Sequence, residues 1–222
     1  MISLPARAFA IFSITIGSLL AAKVASSEIW INEFQFNNIG DTNEFVEIVV
    51  TNAAFAPPDL AAITVELHDS TVAGGTLYDS VTLDDESISV TSDAFASYFV
   101  WNPAEIRNNA INGIALIDIS TGSRMFISWD GTFTAQDGFA GSASLTSQDV
   151  GFSQNSSTPT GQSIGLIGRG LTFADFSWSA PLIWTEGAVN EGQSFGEAVP
   201  EPGTLGLAML GMVALITRRR RA

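Results

Sequence analysis

The chain has 222 residues, with 23 acidic side chains against nine basic ones, one histidine and no cysteine. The lack of cysteine excludes thiol catalysis, thiolate metal centres and disulfides, so any folded body must be held by its core alone. Residues 27–197 carry only Arg107, Arg124 and Arg169 against 22 acidic residues, a formal charge of −19 with no lysine, which argues against nucleic acid and anionic membrane surfaces as partners of that segment.

The first 26 residues have the layout of a secretory signal. Arg7 precedes an uncharged stretch from Ala8 to Ala22, and small residues follow. That order of basic, apolar and small-residue regions is how such signals are built. Cleavage is expected after Ser26, with an uncleaved anchor as the alternative.

From Glu28 onward the pattern is that of strands. EIWINEFQF alternates and then breaks at NNIGDTN; EFVEIVVT and AITVELHD follow, then ASYFVWN, GIALIDIS, RMFISWD, QSIGLIG and TFADFSW. Each is short, rich in Val, Ile, Phe and Trp, and bounded by turn residues. Their spacing predicts an all-β antiparallel sandwich. The Ser/Gly-rich stretch from Phe139 to Gly161 reads as a long loop.

These strands also resemble a family. Ile31-Asn32-Glu33, Phe45-Val46-Glu47 and Asn52 look like the opening of a bacterial lamin-tail domain. GIALID, SWDGTF and GQSIGLIG are similar to its later strands. The stretch DFSWSAPLIWTEGAVNEGQSF resembles its closing turn, often Thr-Pro-Gly-x-x-Asn, with Glu186 where proline is expected. The resemblance implies an immunoglobulin-like β-sandwich over 27–197. It also implies an accessory or binding module, a type found attached to hydrolases. With residues 27–197 read as the one folded domain, that enzymatic association does not carry over.

Tests for chemistry return little. GQSIG, with Ser163, fits G-x-S-x-G, but a nucleophile elbow needs a strand-to-helix turn and a later histidine, whereas His68 lies upstream. Carboxylates are the only rich ligand source, and they suit hard cations. The clusters Asp84-Asp85-Glu86 and Asp41/Asn43/Glu44 lack EF-hand spacing and read as solvated acidic turns. Glu33 and Glu47 could line a ligand or cation site; the plainer expectation is that they satisfy free backbone N–H groups of a turn. Of Trp30, Trp101, Trp129, Trp178 and Trp184, most fall in apolar strands and read as core. Trp184, in a loop, is the candidate for an exposed contact. No catalytic residue, resident metal or cofactor is expected.

The chain closes on VPEPGTLGLAMLGMVALITRRRRA. Gly203 to Thr217 is uncharged and, as a helix, would reach about 22 Å against a hydrocarbon core of roughly 30 Å, a short transmembrane span. Clustered arginines stay cytoplasmic. Pro200, Glu201 and Pro202, the apolar segment, and Arg218, Arg219, Arg220 and Arg221 together resemble a PEP-CTERM sorting signal over residues 198–222. The resemblance implies an exosortase-type processing enzyme as partner, a transient stay in the inner membrane, and delivery to the cell surface. The expectation is an exported, non-enzymatic protein, structural or adhesive and in contact with polysaccharide; the alternative is a carbohydrate- or calcium-binding accessory module.

Overall fold

Two strands that read as nearly unbroken apolar runs, FVEIVVT and NGIALID, are buried along their whole length and lie inside two separate sheets. The computed structural model describes residues 27–40, 42–51, 58–71, 74–108, 111–141 and 144–196. The expected signal (1–26), the transmembrane segment (203–217) and Asn52 fall outside them. Among the described residues no helix is long and apolar enough to cross a membrane.

Strands β1 (Ile29–Gln35) and β2 (Phe45–Thr51) form an antiparallel pair. The chain resumes on the second sheet with β3 (Ile63–Asp69) and β4 (Thr76–Thr82), and returns to the first for β5 (Ser89–Ser92) and β6 (Ala96–Trp101). It crosses again for β7 (Asn112–Asp118) and β8 (Ser123–Trp129). A small hairpin, β9 (Thr134–Ala135) with β10 (Leu145–Thr146), and β11 (Gln148–Asp149) follow. Then β12 (Gln162–Gly170) returns beside β1, and β13 (Phe176–Trp178), β14 (Leu182–Ile183) and β15 (Gln193–Phe195) all pair with it. The first sheet runs β13-β12-β1-β2-β6-β5 and the second β11-β8-β7-β3-β4.

Side-chain alternation explains why these sheets pack. Val46, Ile48 and Val50 of the first sheet meet Ile63, Val65, Leu67, Ile114, Leu116 and Ile127 of the second in one core. Trp129 sits there fully buried, stacked on Phe36 at 4.3 Å between ring centres. The opposite faces are covered too. On the first sheet Trp30, Val49 and Tyr98 pack with Phe176 and Phe195 from the C-terminal strands. On the second, Ala115, Ile117 and Phe126 pack with Ala135 and Phe139 from the segment around the β9–β10 hairpin. Both sheets are therefore apolar on two faces, which is why their inner strands read as continuous runs.

The expected all-β sandwich is present, with local differences. TFADFSW is half turn: Phe173–Asp175 is a 3₁₀ segment because the Asp175 carboxylate accepts the Leu171 and Thr172 N–H groups. The long Ser/Gly stretch contributes β10 and β11. Strands β4 and β5 escape the sequence reading. Tyr78 is an extra residue in β4, opposite the Leu67–His68 step, and breaks its alternation, while β5 is exposed throughout.

Trp129→Ala removes a fully buried indole from the shared core and is expected to cost roughly 3–5 kcal/mol. Urea unfolding of the variant beside wild type measures it, and a loss under about 1 kcal/mol would contradict this placement.

Candidate functional site

The polar centre of the molecule is created by one irregularity in β1. Ile31 pairs with Ile48 and Glu33 with Glu47, so Asn32 is an extra residue with no partner on β2. A bulge of this kind breaks the two-residue period. Ile31 and Phe34 both enter the shared core, three positions apart, while Asn32 and Glu33 meet Glu47 in a separate hydrogen-bonded cluster. All three are buried, at 0%, 1% and 0% exposure.

The segment between β14 and β15 closes over them. Thr185 N–H donates to Glu33 Oε1 at 3.0 Å and Gly187 N–H donates to Glu47 Oε2 at 2.7 Å. Ser163 Oγ also donates to Glu33 Oε1, and Asn32 Nδ2 donates to Glu47 Oε1 at 2.8 Å. Asn190 is the hub. Its Nδ2 donates to the Asn32 and Leu166 carbonyls at 3.1 Å each, and its Oδ1 accepts from Thr185 Oγ1 at 3.0 Å. Gln193 Nε2 completes the set with a 2.7 Å bond to Asn32 Oδ1. Gly165 has to be glycine here, since a Cβ would lie 2.8 Å from Asn190 Nδ2.

Two buried carboxylates on paired strands repel one another as anions. Burial raises the Glu33 pKa, against the hydrogen bonds from Ser163 and Thr185. Burial, and then the neighbouring Glu33 charge, raises Glu47 well above the usual range. The arrangement is a clamp: each carboxylate holds a backbone N–H of the closing turn, the plainer of the two expectations for this pair.

The other candidates are dispersed. Ser163 lies on β12 bonded to Glu33, whereas His68 lies on β3 of the other sheet, its Nε2 3.1 Å from Glu66 Oε2 and its ring stacked on Phe139. They form no nucleophile pair, and GQSIG is strand rather than elbow. Asp84, Asp85 and Glu86 form an exposed turn in which Asp85 accepts the Ser87 N–H. Asn43 and Glu44 line an open cavity of about 580 Å³ with Asn102 and Glu105; Asp41 falls outside the described residues. Among the described residues no three His, Asp or Glu side chains gather as a metal cage. Trp30, Trp101 and Trp129 are buried, and Trp184 is half-buried, edge-on to Phe45 at 6.1 Å. The role of Gln193 as a network member was not legible; only its place near the closing turn could have signalled it.

Geometry thus defines an all-β sandwich whose buried polar cluster serves its own closure. The address of the protein lies beyond that body. The PEP-CTERM protein-sorting motif matches residues 198–221, which contain Pro200, Glu201, Pro202 and Arg218–Arg221. Such motifs are recognised by exosortase-type processing enzymes, and the match indicates export through a membrane-associated sorting step to the cell surface. No curated protein and no solved structure matches the chain.

Asn190→Ala leaves two buried carbonyls and the Thr185 hydroxyl short of partners, and is expected to destabilise the fold by about 3 kcal/mol in urea unfolding. The pH dependence has a definite sign. Glu33 and Glu47 have raised native pKa values, so their contribution is complete below the ordinary 4.5 and is lost as pH rises through the native values. Asp69, Asp93 and Asp118 behave oppositely. Burial is outweighed by hydrogen bonds, their pKa values lie below 3.8, and their contribution is lost as pH falls. Thermal stability is expected to peak near pH 4–5 and to decline toward neutrality, and Glu47→Gln should flatten that decline. An unchanged slope in Glu47→Gln would remove the pair as its cause.

Proposed function

We propose that residues 27–197 form a non-enzymatic, immunoglobulin-like sandwich of the lamin-tail type. It is exported under a signal in residues 1–26 and carried by the sorting tail, residues 198–222, to the cell surface or extracellular matrix. There it has a structural or adhesive role in contact with extracellular polysaccharide. The sorting-motif match over residues 198–221 carries this reading. In it, residues 203–217 span the inner membrane until the processing enzyme acts.

Two observations support the finer assignment of the domain. The sheet orders β1-β2-β6-β5 and β8-β7-β3-β4 follow the A-B-E-D and G-F-C-C′ orders of immunoglobulin sandwiches. Six of the residues that carry the lamin-tail resemblance, Asn32, Glu33, Glu47, Thr185, Gly187 and Asn190, also build the carboxylate clamp. The non-enzymatic reading is supported by what those polar groups do: the carboxylates are bonded to the closing turn, and Ser163 is bonded to Glu33.

The test is intact mass of the protein recovered by cell fraction. A surface or medium species beginning near Ser27 and ending close to Pro200 is expected. A full-length C-terminus held permanently in the inner membrane would refute delivery to the surface and leave a membrane-tethered domain.

A further inference from the structure

The last strand of the fold lies very close to the sorting motif. Strand β15 runs parallel to β12, with Phe195 paired to Gly170, and the Gly196 N–H donates to the Gly170 carbonyl at 3.2 Å. Phe195 is 8% exposed, its ring 5.6 Å from Phe176 and 6.2 Å from Trp30, and Gln193 is tied to Asn32. The chain is therefore fixed in the fold up to residue 195. Pro200 lies four residues beyond Gly196, a reach of at most about 14 Å even when fully extended. A domain of this size is about 40 Å across. An enzyme that engages Pro200–Pro202 cannot avoid the surface from which the chain leaves.

That surface is a built one. Gly170 leads into the β12–β13 turn, where Asp175 Oδ2 accepts the Leu171 N–H at 3.0 Å and the Thr172 N–H and hydroxyl at 2.9 Å each. A Cβ at Gly170 would collide with the Asp175 side chain, so the turn is packed against its own strand. The turn holds Leu171 out at 37% exposure beside exposed Arg169. Arg169 is one of three cations in a segment with 22 acidic residues. An apolar side chain and a cation beside the exit point are what this otherwise acidic body offers to a membrane-embedded protein.

We propose that the surface from Arg169 to Asp175 is the face by which the folded sandwich docks on its membrane-embedded processing enzyme. The inference rests on the sorting reading of the tail. The short tether makes the domain part of the substrate: the enzyme receives the motif together with the β12–β13 turn.

The experiment follows conversion of the full-length precursor to the shortened form by pulse-chase and intact mass in the producing cell. The face variant, Arg169→Glu with Leu171→Asp, is expected to slow conversion about threefold or more. Val90→Asp, a change at an exposed apolar residue of β5 at the opposite edge of the same sheet, is expected to leave it unchanged. A Gly/Ser insertion of roughly 15 residues after Gly196 frees the motif from the domain, and the face variant carrying it should convert at the rate of wild type with the same insertion. Wild-type conversion by the uninserted face variant overturns the proposal, as does a slowing that the insertion fails to relieve, because that slowing arises in the fold. Replacement of Arg218–Arg221 by alanine separates the two readings: if conversion continues without the arginines, the sorting reading fails; if it stops, the comparison of face variants decides the docking face alone.

Discussion

One extra residue in β1 organises this protein. Without the bulge at Asn32, strict alternation would separate Asn32 and Glu33 onto opposite faces and leave one of them among the aliphatic side chains of the core. With it, both residues meet Glu47, and the first sheet acquires a buried polar patch on an otherwise apolar surface. A patch of that kind is costly unless every group in it is bonded. The C-terminal segment supplies those bonds through Thr185, Gly187, Asn190 and Gln193. It is thereby fixed to one register, and so is the strand from which the tail departs.

The same logic of local satisfaction runs through the acidic surface. Three arginines cannot neutralise 22 carboxylates, and the part-buried pair Arg107–Asp69 answers for one of them. Backbone N–H groups do much of the remaining work. Asp85 accepts from Ser87, Asp93 from Phe95, Asp118 from Ser120, Asp149 from Gly151 and Asp175 from Leu171. These bonds tighten the turns between strands and hold several aspartates below their ordinary pKa. Charge that looks like a liability in the composition is spent on turn geometry.

What could be read from the residues follows from the same physics. The runs in β2 and β7 were legible because burial on both faces leaves little room for polar residues, and β3 and β8 because Ile63, Val65 and Leu67, and Ile127 and Trp129, alternate into the shared core. The tail was legible because a membrane address is written in consecutive residues and matches as a linear motif. Strands β4 and β5 were not, since one carries a bulge at Tyr78 and the other is exposed on its whole length, so neither shows a clean period. The carboxylate clamp was half legible. Glu33 and Glu47 stood out on their strands, but their partners lie 140 and 152 residues away, and no local pattern announces a contact over that distance.

Those separations matter for how such a chain takes its shape. Strand β1 lies between β2 and β12, so a polypeptide made from its N-terminus begins with the middle of a sheet and must wait for its flank. Asn32 meets Gln193 only after 161 further residues have passed. Contacts of such high order close late. The sandwich can be completed only when its last strand is in place, within a few residues of the sorting motif. Closure of the fold and the start of its sorting address thus fall next to each other in one sequence.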